Sequence, residues 1–261
     1  MSLVPSLADP VFIVGSPRSG TTFLGAALAR SPLLAYHFEP VLTKAAAPYV
    51  YFGLWTPARA ARFYRRVYRW LDRLRLDGDL RFVDKTPRNA LLVPFLADTF
   101  PDARFIHIVR DGRDVAASWS ERPWLGETPI EGRTHEPGGY RYGPHPRMWV
   151  EPDRVEEFRT TSTVHRCAWG WRRHVEAVQQ ASARLSEGRL LEIRYESLVG
   201  DPERVGGEVL DFLGIESDAV LAALGGIRGT SIGRWRDLSD ADLAAVMREC
   251  GSLLRQLGYI G

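Results

Sequence analysis

The chain has 261 residues, 45% of them hydrophobic and 25% charged, proportions that suit a folded globular protein with one sizeable core. Its 34 basic and 32 acidic residues leave a formal charge of +2, a balance that argues against bulk binding to nucleic acid or to a charged membrane. Any strongly basic site is therefore local, and no apolar run approaches the ~18 residues needed to span a bilayer.

Two cysteines, Cys167 and Cys250, have neither the density of a disulfide scaffold nor the spacing of a zinc site, which favours a reducing, cytoplasmic setting. The opening MSLVPSLADP lacks a charged segment followed by an apolar stretch, so no secretory leader is expected. Nothing in the composition sets the oligomeric state.

The first apolar run, VFIVG (11–15), leads into GSPRSGTT and then the helix-like TTFLGAALAR. A strand, a glycine-bounded loop and a helix N-terminus together make an anion cradle, because loop amides and the helix dipole point at one place. Gly15, Gly20 and Thr22 fit the nucleotide-binding pattern G-x-x-x-x-G-K-[ST], but Thr21 stands in the lysine position and Arg18 lies on the loop crest. The loop is thus poorly equipped for a γ-phosphate with Mg²⁺ and better suited to a shorter phosphate-containing group.

The second run, LLAYHF (33–38), ends in Glu39-Pro40. Proline disfavours the helical region for the residue before it, so Glu39 is expected to be extended at the strand tip as a candidate general base. His37, on the same face by strand alternation, is the alternative base. In RAARFYRRVYRWLDRLRLD a helical period puts Phe63, Tyr64, Val67, Tyr68, Leu71 and Leu74 on one face and Arg62, Arg66, Arg69 and Arg73 on another. The arginine stripe reads as a solvated face, with peripheral contact to lipid headgroups or an anionic acceptor as the alternative.

The third run, RFVDK (81–85), places Lys85 at a strand end before TPRN, either aimed at the same crevice or paired at the surface with Asp84. The fourth, RFIHIV (104–109), is followed by Arg110 and, about two helical turns on, by Ser118, a pair able to clamp a second, separate phosphate. His107, inside that strand, reads as core. Residues 121–160 cluster Pro and Gly and sustain no period, an irregular insertion of the kind that forms lids. Its aromatics Trp124, Tyr140, Tyr142 and Trp149 suit either an acceptor-covering lid or a small satellite core. A helix-like segment follows, then LLEIRY (190–195), a helix started by Asp201-Pro202 and a capped C-terminal helix. Five strands alternating with helices predict an α/β fold with a parallel sheet whose ligands gather at the carboxyl ends of the strands.

Two phosphate-binding arrangements, a base and extra cations converge at those ends, and the chain resembles sulfotransferases that use 3′-phosphoadenosine 5′-phosphosulfate (PAPS). PRSGTT resembles that family's loop for the donor's 5′-phosphosulfate, which implies binding by Arg18, Ser19, Gly20, Thr21 and Thr22. VRDGRDVAAS resembles its 3′-phosphate motif and implies that role for Arg110 and Ser118. FEP sits where tyrosyl-protein-type and bacterial members place a catalytic glutamate, here Glu39, and DKTP resembles the segment that supplies a lysine near the transferred group, here Lys85. RYESLVGDPERV resembles the segment whose tyrosine contacts adenine, here Tyr195, and IGRW resembles a late basic motif, here Arg234.

The resemblance covers about residues 11–258 and implies a single P-loop-like domain over residues 1–261, built on a central five-stranded parallel sheet flanked by helices. It further implies sulfonate transfer to a hydroxyl of a small-molecule or carbohydrate acceptor, with adenosine 3′,5′-bisphosphate (PAP) as product. A sulfonate carries one charge fewer than a phosphoryl group, so fixed cations are expected to serve without a metal ion. Arg18 in place of lysine departs from many members and puts in doubt how the leaving oxygen is stabilised, since arginine seldom gives up a proton. Two rival readings remain, a P-loop kinase using ATP and Mg²⁺ and a nucleotide-binding module without catalysis.

Overall fold

Alternation along the strands divides the interior in two. In β1 (Val11–Gly15), Phe12 and Val14 point into one apolar cluster and Val11 and Ile13 into another, and all four are fully buried. A strand buried on both faces has no polar side to show, which is why its sequence is an unbroken apolar run. In the computed structural model, which describes residues 7–73, 80–122, 128–130, 133–135, 139–143 and 145–261, β1 is the middle strand of a five-stranded sheet. Its partners are β2 (Leu34–Phe38), β3 (Arg81–Lys85), β4 (Arg104–Val109) and β7 (Leu190–Arg194), in the order β2-β3-β1-β4-β7 and all parallel. The predicted α/β architecture is the observed one, with the second and fifth strands each one residue shorter than the apolar runs suggest.

Helices cover both faces. Against Val11, Ile13, Ile106 and Ile108 lie α1 (Thr21–Leu28), α8 (Tyr195–Gly200), α9 (Pro202–Leu213) and α10 (Asp218–Leu224). The other face carries α3 (Pro57–Arg73), α4 (Val93–Thr99), α5 (Gly112–Ser120), α7 (Thr163–Ser182) and α11 (Asp240–Gln256). Phe12 anchors that side, its ring 5.5 Å from Phe105, 5.9 Å from Phe100 and 6.0 Å from Tyr68. A short helix, α2 (Val41–Tyr51), follows β2, and a 3-10 turn at Pro87–Leu92 follows β3.

In α3 the apolar stripe packs inward as expected, with Tyr64, Val67 and Tyr68 buried, while Arg62, Arg66 and Arg73 are exposed and Arg69 is half-buried. Leu74 lies outside the described residues. The segment 121–160 is more regular than its composition suggests. It holds a two-stranded hairpin of β5 (Thr128–Ile130) and β6 (Arg133–His135), a 3-10 turn at Pro152–Arg154 and α6 (Val155–Thr160). Tyr142, Trp149 and Phe158 are buried, and Trp124 lies outside the described residues.

A buried ionic cluster ties the end of this segment to the body. The Glu249 carboxylate on α11 accepts hydrogen bonds from Arg172 at 2.7 Å, Arg154 at 2.9 Å and His165 at 3.0 Å, with its side chain 3% exposed. Burial opposes its charge, but hydrogen bonds from His165, Arg154 and Arg172 outweigh it and hold its pKa down to about 2. Removing one partner of such a cluster strands buried cations, so Glu249→Gln should cost about 3 kcal/mol in urea unfolding near neutral pH. A depressed carboxylate pKa stabilises above the unfolded value and loses that contribution as pH falls through the folded one. The gap between parent and variant should therefore narrow as pH drops from about 4.5 toward 2.

Candidate active site

Between β1 and α1 the chain makes the loop that the sequence marks. Gly15 has φ 150°, and a Cβ there would lie 2.6 Å from the Ile108 carbonyl oxygen. Gly20 has φ 99°, and a Cβ there would lie 2.7 Å from the Tyr195 ring, so both positions need glycine for conformation and for space. Ser19 N–H donates to the Ser16 carbonyl at 3.2 Å, and Gly20 caps α1, which leaves the helix N-terminus facing the loop. Arg18, itself at φ 71°, reaches sideways and donates through Nε to Ser118 Oγ at 3.1 Å. Ser19 Oγ is buried and has no hydrogen-bond partner among the described residues.

Lys85 ends β3 and is fully buried. Its ammonium donates to Thr22 Oγ1 at 3.1 Å and to Glu39 Oε1 at 2.8 Å, and lies 3.8 Å from the Phe38 ring centroid. It is therefore neither a surface lysine nor the partner of Asp84. Strand alternation sends Asp84 to the other face, where it accepts from Tyr68, from Thr86 at 2.6 Å and from Asn89 at 3.3 Å, and where burial pushes its pKa up to about 6.

Glu39 does not adopt the extended conformation expected before Pro40. Its φ is +43°, its N–H still donates to the Lys85 carbonyl at 3.0 Å, and the chain then turns into α2. The turn from strand to helix outweighs the preference imposed by proline and aims the carboxylate at Lys85. Its second oxygen accepts from Lys44 at 2.6 Å. Burial works against the charge, but the hydrogen bonds and charges of Lys44 and Lys85 hold the Glu39 pKa below the usual carboxylate range. His37 instead stacks on Phe82, with centroids 4.5 Å apart, and does not line the cavity described below.

Arg110 follows β4 and is 3% exposed. Its backbone carbonyl accepts from Trp171 Nε1 at 3.0 Å, and the next amide, that of Asp111, donates to Glu196 at 2.9 Å, so its backbone is held from both sides. The guanidinium lies over the Tyr195 ring at 4.6 Å, donates to the Arg18 carbonyl at 3.1 Å and to the Ser231 carbonyl, and keeps a buried Nε without a partner among the described residues. Arg234 stands apart: it is half-buried, paired with Glu121, and does not line the cavity.

A cavity of about 920 Å³ opens at the carboxyl ends of the strands, and of the predicted site residues Ser19, Lys85 and Ser118 are buried and do not line it. Arg18, Thr21, Thr22, Glu39, Arg110 and Tyr195 line one stretch of its wall. Residues 8–224 match the family model described as a sulfotransferase domain. The chain belongs to the sulfotransferase family.

This sulfotransferase is 26% identical over 219 residues to an uncharacterized protein of Aquifex aeolicus (strain VF5), covering 78% of this chain and 25% of that protein. The chain thus spans about a quarter of the length of that curated relative. In fold it is similar to the sulfotransferase domain from the curacin biosynthetic pathway, with TM-score 0.62, 19% identity and coverage of 98% of this chain and 99% of that one. It is likewise similar to sulfotransferase STF9 from Mycobacterium avium, with TM-score 0.59, 14% identity and coverage of 97% and 77%. A mouse sulfotransferase complexed with PAP has TM-score 0.51 at 15% identity, with coverage of 95% and 85%.

Sequence reasoning misses several residues of the sulfotransferase cavity: Lys44, Arg88, Trp119, Arg147 and His174. Lys44 has a signal in hindsight, since it lies one helical turn past Pro40 on the helix that begins beside Glu39. The other four sit within elements whose patterns read as core or loop. The double lysine clamp gives a direct test. Lys44→Met should raise the Glu39 titration midpoint toward that of an ordinary carboxylate, as read by ¹³C NMR of the side-chain carboxyl, because one hydrogen bond and one charge that favour ionisation are gone.

Proposed function

We propose that this sulfotransferase moves a sulfonate group from PAPS to a hydroxyl of a small-molecule or carbohydrate acceptor and releases PAP. The observation that carries the reading is the placement of Lys85, whose buried ammonium touches the loop through Thr22 and the candidate base through Glu39. A donor on the loop and a hydroxyl at Glu39 then meet across one cation. Residues 1–261 act in this reading as one sulfotransferase unit, and its two buried free thiols, Cys167 and Cys250, suit a reducing cytoplasm.

The residues present fit such a donor. Ser19 Oγ and Arg110 Nε are buried donors without partners among the described residues, and the N-terminus of α1 faces the loop. Ser19, Gly20, Thr21, Thr22 and Arg18 hold the 5′-phosphosulfate, Arg110 and Ser118 the 3′-phosphate, and Tyr195 the adenine. Arg234 joins only after exchanging Glu121 for the donor. When bound, the donor supplies an electrophilic sulfur and a good leaving group.

The chain supplies the rest. Glu39 is ionised at neutral pH, and each of its oxygens keeps a lone pair beyond the one facing a lysine, so it can accept the acceptor's hydroxyl proton. As that proton leaves, the acceptor oxygen bonds to sulfur and the bond from sulfur to the 5′-phosphate oxygen breaks. Lys85, Arg18 and the loop amides stabilise the charge that develops on the sulfonyl and departing oxygens. Arg18 does so by hydrogen bonding alone.

PAP should raise the melting temperature far more than AMP or ATP–Mg²⁺, since PAP alone occupies both the loop and the Arg110 side. A larger shift with ATP–Mg²⁺, or turnover abolished by EDTA, would favour phosphoryl transfer instead. In steady-state assays with PAPS, Glu39→Gln should leave PAP affinity nearly intact while kcat drops roughly 10²–10⁴-fold. Arg110→Ala should weaken PAP binding more than it lowers kcat, and Lys85→Ala the reverse. Tight PAP binding with no turnover on a broad hydroxyl panel would identify a binding module.

A further inference from the structure

Among the cavity side chains that the proposed reaction does not use, three rings stand together. Trp119 from α5, Trp149 from the segment before α6 and His174 from α7 line it together and are 3%, 3% and 1% exposed. Their rings form one cluster, with centroids 5.2 Å apart for Trp149 and His174, 6.3 Å for Trp119 and Trp149, and 6.4 Å for Trp119 and His174. Gly170 makes room for it, since a Cβ there would approach the Trp119 ring to 2.9 Å and the Trp149 ring to 3.5 Å.

Packing accounts for the rings but not for their nitrogens. Nε1 of Trp119, Nε1 of Trp149 and Nε2 of His174 are all buried without a hydrogen-bond partner among the described residues. Two equally buried tryptophans show the ordinary outcome: Trp169 Nε1 donates to Glu151 at 2.7 Å and Trp171 Nε1 to the Arg110 carbonyl at 3.0 Å. An unpaired buried polar group costs free energy, and three beside one cavity form a set.

The polarity of the set is fixed. An indole N–H only donates. His174 Nδ1 lies 2.6 Å from the Gly170 carbonyl oxygen, which only accepts, so Nδ1 carries the hydrogen and Nε2 offers a lone pair. Burial, helped by the charges of Arg88, Arg173 and His107 against a smaller pull from the Gly170 carbonyl, pushes the His174 pKa down to about 4 and keeps the ring neutral. Two donors and one acceptor match a hydroxyl, which accepts twice and donates once, and match a primary carboxamide as well. A carboxylate would answer the indoles but would face the His174 lone pair with another.

We infer that Trp119, Trp149 and His174 form a recognition subsite for an uncharged group that both accepts and donates hydrogen bonds, a hydroxyl or a carboxamide, carried by the acceptor in addition to the hydroxyl that is sulfonated. Its assignment to the acceptor rests on the proposed function. The subsite itself is tested without any sulfonate transfer.

In protein labelled with ¹⁵N at tryptophan, the indole resonances of Trp119 and Trp149 are assigned by Trp119→Phe and Trp149→Phe and followed by NMR. The titrants are propionamide, N,N-dimethylpropionamide, propan-1-ol, methyl propyl ether and propionate. Propionamide, propan-1-ol or both should move the two indole signals saturably and bind at least tenfold more tightly than the dimethylamide and the ether, which accept but cannot donate, and than propionate. Whichever of the two binds identifies the group. His174→Phe should erase the preference, with melting temperature and the PAP-induced shift confirming that this variant is folded. Equal affinities within the pairs, propionate binding most tightly, or no movement of either indole signal would overturn the inference, and the comparison in unmutated protein decides this even if the variant does not fold. Because PAPS is absent, these outcomes stay separate from failure of the sulfonate-transfer reading, which PAP binding and turnover address.

Discussion

A single buried ammonium at the end of β3 ties the end of β2 to the start of α1. Lys85 gives up water entirely and replaces it with the Glu39 carboxylate, the Thr22 hydroxyl and the face of Phe38. A lone buried charge is costly, so each of these groups is needed to keep the others in place. Burial lowers the Lys85 pKa, and Glu39 is the main influence that raises it again. Electrostatics thus couples the position of Glu39 at the end of β2 to that of Thr22 at the start of α1. The same contact that secures the local fold brings the start of α1 and the Glu39 carboxylate to one point.

The frame was legible from the sequence because it rests on strong, short-range patterns. Strands buried on both faces read as apolar runs, and glycines with positive φ or no room for a Cβ mark the loop at Gly15 and Gly20. The strand that Arg110 follows and the helix that carries Ser118 are legible in the same way, although only Arg110 of the two lines the cavity. Glu39 lines the cavity, but its backbone is not the extended one that Pro40 suggests. A rule about the residue before proline is local, whereas the Glu39 conformation is set by where β2 must hand the chain to α2. Trp119 and His174 escape because they meet only through the packing of α5 against α7, far apart in the chain, and Lys44 escapes because its partner Glu39 is reached only through the turn from β2 into α2. A tryptophan in a helix with apolar neighbours looks the same whether its Nε1 meets a carboxylate, as in Trp169, or its ring lines a cavity, as in Trp119.

Arg110 shows how much structure one side chain requires. Its carbonyl is taken by Trp171, the following amide by Glu196, and Glu196 also accepts from Tyr259 at 3.0 Å near the C-terminus. Asp114, on the helix that Arg110 introduces, accepts from the amides of Gly233 at 2.8 Å and Trp235 at 3.1 Å. The late segment around Ser231 is thereby fastened over the cavity by backbone hydrogen bonds. Arg234, half-buried and paired with the exposed Glu121, adds little to that fastening, in keeping with the small worth of surface ion pairs.

The place of β7 in the sheet has a consequence for how the molecule is born. Strands β1 to β4 and the loop at Gly15–Gly20 are contributed by the first part of the chain, and they can zip together as it leaves the ribosome. β7 pairs with β4 only after the long stretch between Val109 and Leu190 has been synthesised, and closing so large a loop is entropically expensive and slow. Glu196, Tyr195 and Ser231 all arrive with or after that strand. The wall of the cavity at Glu39, backed by Lys85, can therefore be in place while the part around Arg110 is still unbuilt, so a nascent or truncated chain would expose the apolar edge of β4 as a site for aggregation or chaperone capture.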